Sequence, residues 1–211
     1  MKYNFITIEG NIGAGKTTLA NILAQRYNAR LVLEEFAENP FLSKFYEKPD
    51  QYAFPVELFF MAERYKQLKE LIHTQDLFQT ITISDYLFTK CLLFAKVNLP
   101  EEEYRLYQKL FEIIHQQLVQ PELLIYLHVP VSRLQQNIRK RNRPYELSIP
   151  DDYLFNIQET YTHYIRQHNI KTIFVDASNA DFLNNELHIQ TIMDALDREY
   201  SEGQHFLSLP D

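Results

Sequence analysis

The chain has 211 residues, 45% of them hydrophobic and 23% charged, with a formal net charge of −7. That length can bury one good core, no apolar run reaches the roughly 18 residues a membrane span needs, and an acidic balance argues against a nucleic-acid polymer as main partner, since phosphate-backbone binding draws on a basic surface. The single cysteine, Cys91, excludes an internal disulfide framework, and the seven histidines show no paired metal-ligand spacing. The opening MKYNFITIEG enters an apparent strand at once, without a signal segment. Together these features predict a cytoplasmic protein with no membrane segment and no structural metal.

Alternating apolar strands and helical stretches predict an α/β fold. Residues 3 to 8, YNFITI, read as a buried strand, followed by a glycine-rich turn and a helix from about Lys16 to Tyr27. RLVLEE, 30 to 35, is a second strand, and 39 to 49 read as loop and short helix. Residues 52 to 73 have helical periodicity, with Phe54, Leu58, Met61, Tyr65 and Leu68 on one stripe, and Pro55 is tolerable only near the helix start. A third strand, QTITISD, ends at Asp85. Helices follow at about 87 to 96 and 101 to 119, the second opened by Pro100 and an acidic first turn. The fourth strand, LLIYLHV (123 to 129), is continuously apolar, as suits a parallel strand buried on both faces. Helices at 131 to 140 and 151 to 168 flank a basic, proline-marked turn, KTIFVDA is a fifth strand, and the last helix runs from about 181 to 199. The tail from Ser201 to Asp211 shows no periodicity and stays unassigned. The expectation is one domain over residues 1–200, a five-stranded parallel sheet flanked by helices.

Three of the chain's four glycines fall in IEGNIGAGKTTLA, residues 8 to 20. The stretch satisfies G-x-x-x-x-G-K-[ST] through Gly10, Gly15, Lys16 and Thr17, and it lies between an apolar strand and a helix, the context this P-loop motif requires. In such a loop the N–H groups surround a phosphate chain, the lysine reaches the β and γ oxygens and the threonine hydroxyl ligates Mg²⁺. Gly10, Asn11, Ile12, Gly13, Ala14, Gly15, Lys16, Thr17 and Thr18 are therefore the expected ATP-binding residues, in a P-loop kinase fold. No Asn-Lys-x-Asp guanine reader occurs, and the fourth strand ends in His128, Val129 and Pro130 rather than an acid, whereas the third ends in Asp85. A kinase-like phosphotransferase is favoured over a switch GTPase. It needs an acid near the acceptor hydroxyl, a cationic lid and an acceptor pocket. Arg139-Lys140-Arg141-Asn142-Arg143 supplies a candidate Arg-rich lid, although cations at a helix end also suit the macrodipole. Leu33-Glu34-Glu35-Phe36 supplies a candidate acid at the carboxyl end of the second strand, where ligands of open α/β sheets bind, although paired glutamates are often plain surface charge.

The run from Gly10 to Thr18, then EEFAENPFLSKFY, FPVELFFMAERYKQL, SDYLFTKCLLFA and RKRNRPYE, resembles the deoxynucleoside kinases, especially the bacterial deoxyguanosine and deoxyadenosine kinase branch, in order from about residue 3 to 150. The resemblance implies transfer of the γ-phosphoryl group of ATP to the 5′-hydroxyl of a deoxynucleoside, with Mg²⁺, in a homodimer assembled through helices. By position Glu34 is the implied base, with Glu35 in the place of the usual proline. Asp85 opens the family's Asp/Glu-Arg-Ser block and is expected to help hold Mg²⁺ with Thr17. Tyr86 stands where that block has arginine, and a lid arginine is the expected substitute. Tyr46 and Glu146 match the pair that hydrogen-bonds the sugar 3′-hydroxyl. Glu57, seven residues before Arg64 on one helix, stands where the family commonly has glutamine. A carboxylate there accepts the adjacent N1–H and 2-amino donors of guanine, with Arg64 or Lys90 donating to O6 and N7, which favours guanine over adenine. A salt-bridged helix face is the plainer reading of that spacing. Arg141 and Arg143 match the ends of the family's Arg-Gly-Arg, with Asn142 for the glycine, and Arg139 takes part of the work of an earlier lid arginine whose place Asn137 occupies. Two rivals stay open: a nucleoside monophosphate kinase of the thymidylate type, and a non-catalytic nucleotide-sensing module.

Overall fold

The computed structural model describes residues 1–35, 39–73 (side chains to residue 70) and 80–210. Phe36, Ala37 and Glu38 of the EEFAENPFLSKFY block, Gln79 at the head of the expected third strand, and Asp211 lie outside the described residues. Six strands form one sheet: β1 (Phe5–Gly10), β2 (Arg30–Val32), β3 (Thr82–Ser84), β4 (Leu123–His128), β5 (Thr172–Asp176) and β6 (Gln204–Ser208). Their order is β2-β3-β1-β4-β5-β6, and every neighbouring pair is parallel. The helices are α1 (Lys16–Tyr27), α2 (Leu42–Glu47), α3 (Pro49–His73), α4 (Lys90–Asn98), α5 (Glu101–His115), α6 (Val131–Arg141), α7 (Asp151–Gln167) and α8 (Glu186–Leu196).

Because side chains alternate along a strand, each central strand serves two cores. Ile6, Ile8, Ile125, Leu127, Ile173 and Val175 meet Leu19 and Leu23 of α1, Leu134 and Ile138 of α6, and Ile189 and Ile192 of α8. On the opposite face Leu124, Tyr126 and Phe174 meet Leu93 of α4 and Ile157, Tyr161 and Ile165 of α7. A third cluster joins Phe5 and Val32 to Val56 and Met61 of α3, Cys91 and Ala95 of α4, and Tyr107 and Phe111 of α5. The chain leaves β1 toward β2 on one side and leaves β3 toward β4 on the other. A crevice therefore opens at the carboxyl ends of β1 and β3, where such sheets bind ligands.

The sheet has six strands, not the expected five, because part of the tail that showed no periodicity pairs with the open edge of β5, from Thr172 opposite Gln204 to Asp176 opposite Ser208. An edge strand with one neighbour needs little apolar patterning. Phe206 rests its ring 5.6 Å from that of Phe174 and still stands 79% exposed. The last helix starts at Glu186 rather than 181: the Asp181 carboxylate accepts the N–H groups of Leu183 and Asn184 in a turn, and the Asn185 side chain caps the helix at Leu187 N. Helix α3 begins earlier than expected, at Pro49, so Pro55 lies in its second turn and has no N–H to offer the Gln51 carbonyl.

Candidate active site

The loop between β1 and α1 is shaped by crowding. A methyl group on Gly10 (φ 151°) would lie 2.8 Å from the Leu127 carbonyl oxygen, and one on Gly13 (φ 83°) would lie 3.0 Å from the Leu134 carbonyl oxygen and 3.1 Å from Ile138 Cγ1. Glycine alone meets both the conformation and the space. The Asn11 side chain braces the turn from behind, donating to the Leu154 carbonyl at 2.7 Å and accepting from Ile12 N at 2.8 Å. Lys16 Nζ folds back to donate to the carbonyl oxygens of Gly10 and Asn11, each at 3.0 Å. Burial, helped by the neighbouring Lys90 charge, pushes its ammonium down to about 8. Ile12, Gly13, Lys16 and Thr17 line the cleft, whereas Ala14, Gly15 and Thr18 build the turn and the helix start without lining it.

Glu9 was missed by sequence reasoning. It is fully buried, accepts from Gly10 N at 3.1 Å, from Tyr161 OH at 2.9 Å and from Leu87 N at 2.8 Å, and so ties the phosphate loop to the segment leaving β3. Its signal was an acid inside an otherwise apolar strand. Burial pushes its carboxyl up, against the opposing charges of Lys90 and Lys16.

The ends of β2 and β3 bring two acids to the loop. Thr17 Oγ1 donates to Asp85 Oδ2 at 2.5 Å, and Glu34 N donates to Asp85 Oδ1 at 2.7 Å. A hydroxyl and a carboxylate side by side at a phosphate loop are hard oxygen donors that fit Mg²⁺, which draws its remaining ligands from phosphate and water. Among the described residues no cluster of three or more His, Cys, Asp or Glu could hold a metal alone. The Glu34 side chain enters the cleft and Glu35 is exposed. Glu34 Oε1 accepts from Arg64 Nε at 2.9 Å and also from Arg64 Nη2, and Oε2 pairs with Lys90 Nζ at 2.6 Å. Burial would raise the Glu34 carboxyl, but Lys90 and Arg64 outweigh it and hold the group well below the ordinary carboxylate range.

Those pairings revise two expectations. The salt-bridged face that the seven-residue spacing allowed does not form between Glu57 and Arg64, because Arg64 turns to Glu34 and its other nitrogen donates to Cys91 Sγ at 3.0 Å. The cations beside Glu34 come from α3 and α4, not from the lid. Tyr86, in the place of the family arginine, is buried away from the cleft and donates to Gln67 Oε1 at 2.7 Å.

The cleft, counted out into its solvent-open mouth, spans about 820 Å³. Away from the loop it is lined by Phe45, Tyr46, Glu57, Phe60, Phe94, Asn98 and Tyr153. Glu57 is 3% exposed; its Oε1 accepts from Asn98 Nδ2 at 2.7 Å, and its Oε2 has no partner among the described residues. Burial pushes this carboxyl up to about 7, against the Asn98 hydrogen bond. Asn98, also missed, sits at the last residue of α4, where nothing in sequence separates it from a helix end. Tyr46 stacks on Tyr145 at 6.0 Å. Glu146, in the 3₁₀ turn Pro144–Glu146, pairs through Oε2 with Arg141 and through Oε1 with Arg143 at 3.1 Å. Asn142 takes the left-handed conformation (φ 56°) that closes α6, and Asn137 Nδ2 donates to the Gly13 carbonyl at 2.9 Å. Arg139 is exposed on α6 and does not line the cleft. Among the described residues no helix is long and apolar enough to cross a membrane.

The sequence profile of the family described as deoxynucleoside kinase matches residues 6–200. The chain is 34% identical over 197 residues to the deoxyguanosine kinase of Bacillus subtilis (strain 168), covering 89% of this chain and 93% of that protein. It is 29% identical over 204 residues to the deoxyadenosine/deoxycytidine kinase of the same organism, covering 92% of each. The structure of deoxyadenosine kinase from M. mycoides with bound dATP superposes with a TM-score of 0.79 at 24% identity, over 92% of this chain and 98% of that one. With a phosphate loop, two acids and an aromatic pocket in one cleft, and a family profile matched over nearly its whole length, this chain belongs to the deoxynucleoside kinase family.

Proposed function

We propose that the chain transfers the γ-phosphoryl group of ATP to the 5′-hydroxyl of a purine deoxynucleoside, deoxyguanosine before deoxyadenosine. The observation that carries this reading is Glu34, set between the phosphate loop and the aromatic pocket and clamped by Arg64 and Lys90. A carboxylate so stabilised is a weak base. Its work is to accept the hydrogen bond of the 5′-hydroxyl and aim that oxygen in line with the γ phosphorus, which is what a loose phosphoryl-transfer transition state requires.

Lys16 exchanges the carbonyls of Gly10 and Asn11 for phosphate oxygens, and Arg141 and Arg143, which line the same cleft and pair with Glu146, neutralise charge on the transferring group. Thr17 and Asp85 would hold Mg²⁺, which when bound neutralises the phosphate chain. Tyr46 and Glu146 contact the 3′-hydroxyl, and Glu57 faces the base. A monophosphate acceptor would need free cations at the acceptor end, whereas Arg64 and Lys90 are bound to Glu34. We assign the homodimer to the apolar face of α5, where Leu106 and Ile113 are 52% and 63% exposed, and the protein to the cytoplasm.

ADP release with ATP and each of deoxyguanosine, deoxyadenosine, deoxycytidine and dGMP tests the reading. Turnover with the nucleosides is expected; turnover with dGMP alone, or with none of the four, would overturn it. Light scattering of the wild type and of Ile113→Glu tests the dimer, which is expected to dissociate in the variant.

A further inference from the structure

Glu57 treats its two oxygens differently. Oε1 is held by the Asn98 amide, and Oε2 is buried without a partner among the described residues, on a side chain that lines the cleft. An unpaired buried polar atom is costly, so the site is complete only when a ligand supplies the missing partner. The charged and titratable groups around it do not supply one. Arg64 on α3 and Lys90 on α4 both bind Glu34, and Arg64 also engages Cys91. Tyr107 on α5 donates to the Glu57 main-chain carbonyl at 3.1 Å, Tyr153 on α7 lines the same cleft, and Tyr46 on α2 stacks on Tyr145. Among the described residues no cation is paired directly with Glu57: Arg64 and Lys90 favour its ionised form from a distance, Glu34 opposes it, and burial outweighs the two cations.

The two forms of a carboxyl group present different faces to a base. Ionised, it only accepts; protonated, it both donates and accepts, as glutamine does. Guanine offers two adjacent donors, N1–H and the 2-amino group. Adenine and cytosine each offer an amine beside a ring-nitrogen acceptor. Resting on the function proposed above, we propose that Glu57 selects the base by its protonation state: as carboxylate it takes the two donors of guanine, and as carboxylic acid it donates from Oε2 to adenine N1 or cytosine N3 while Oε1 accepts the exocyclic amine. Oε1 can do this and keep Asn98, because it has two lone pairs. The guanine preference read from the sequence then belongs to the ionised form alone. Since burial pushes the group up to about 7, both forms are populated near neutral pH.

The test is a competition in one tube, with the full chain, ATP and equal deoxyguanosine, deoxyadenosine and deoxycytidine, the three monophosphates being separated at early times between pH 6 and pH 8. The product ratio reports relative kcat/KM and cancels any titration of Lys16 or Glu34, which affects all acceptors alike. The guanine-to-adenine ratio of the wild type is expected to rise about tenfold per pH unit. Glu57→Gln is expected to give a ratio independent of pH. Asn98→Ala, which removes the donor favouring the ionised form, is expected to lower the wild-type ratio at every pH and serves if Glu57→Gln fails to fold. A ratio that stays flat in the wild type, or that keeps its slope in Glu57→Gln, overturns this inference and leaves the proposed kinase intact. Absence of every monophosphate at every pH overturns the proposed function and this inference with it.

Discussion

Replacing Glu34 by glutamine removes one negative charge from between two buried cations, and the structure sets the size of the effect. Arg64 and Lys90 are 3% and 6% exposed, and both charge-assisted bonds end on this carboxylate. Removing one partner of a buried pair typically costs about 3–5 kcal/mol; glutamine keeps the shape and one acceptor, so about 3 kcal/mol is expected. For a chain of this length that is a fall in Tm of roughly 6–12 °C. Turnover is expected to drop by about 10²–10³, because the 5′-hydroxyl loses the acceptor that aims it. ATP affinity should largely persist, since among the described residues the Glu34 side chain hydrogen-bonds to Arg64 and Lys90 and acts on Lys16 of the phosphate loop only through its charge. Calorimetry, titration with ATP, and ADP release at a temperature below both transitions separate these three quantities. The pH dependence has a definite sign. The folded-state carboxyl lies below its ordinary value of 4.5, so its contribution is complete above that pH and is lost as pH falls beneath it. Wild-type Tm should therefore decline more steeply below pH 4.5 than that of Glu34→Gln. Near-normal turnover combined with the lowered Tm would refute the reasoning, leaving Glu34 as a clamp for two cations and nothing more.

Gly13→Ala forces a methyl group to within 3.0 Å of a main-chain oxygen at a left-handed φ, and should cost about 1–3 kcal/mol and weaken ATP binding, read by calorimetry and titration. With its ammonium pushed down to about 8, Lys16 must take up a proton to bind a polyanion at higher pH, so ATP affinity should be level from pH 7 to 8 and then fall by about tenfold per unit, with measurable proton uptake; constant affinity to pH 9.5 would contradict this. Glu57 has the opposite sign to Glu34. Its folded-state carboxyl is raised from 4.5 to about 7, so wild-type stability declines as pH rises between those values, and Glu57→Gln should be more stable than wild type at pH 8 by on the order of 3 kcal/mol, an advantage absent at pH 4.5.

The phosphate loop was legible because glycine spacing, an apolar strand and a following helix are all local, and α1 begins and ends where the sequence put it. Strand β6 was not, because an edge strand draws its stability from one neighbour's main chain and leaves Phe206 in solvent. Partner choice was the other blind spot. Seven residues separate Glu57 from Arg64 and thirty separate Arg64 from Glu34, yet the second pair forms, because the end of β2 delivers Glu34 to the flank of α3. Asn98 and Glu9 escaped for a related reason: each matters through a group far along the chain, and although an acid in a buried strand marks Glu9 as unusual, it does not name Tyr161 or Leu87 as its partners.

Helix α6 rests on the phosphate loop so closely that Gly13 has no room for a methyl group, and Asn137 is bonded to the same residue. The two lid arginines are joined across the turn at Asn142, because Glu146 takes Arg141 on one oxygen and Arg143 on the other, and Gln135 of α6 donates to the Ile149 carbonyl beyond it at 2.8 Å. Nucleotide cradle, α6 and the Pro144–Glu146 turn are thus fastened in series, and a substitution at Gly13 would be felt at both arginines.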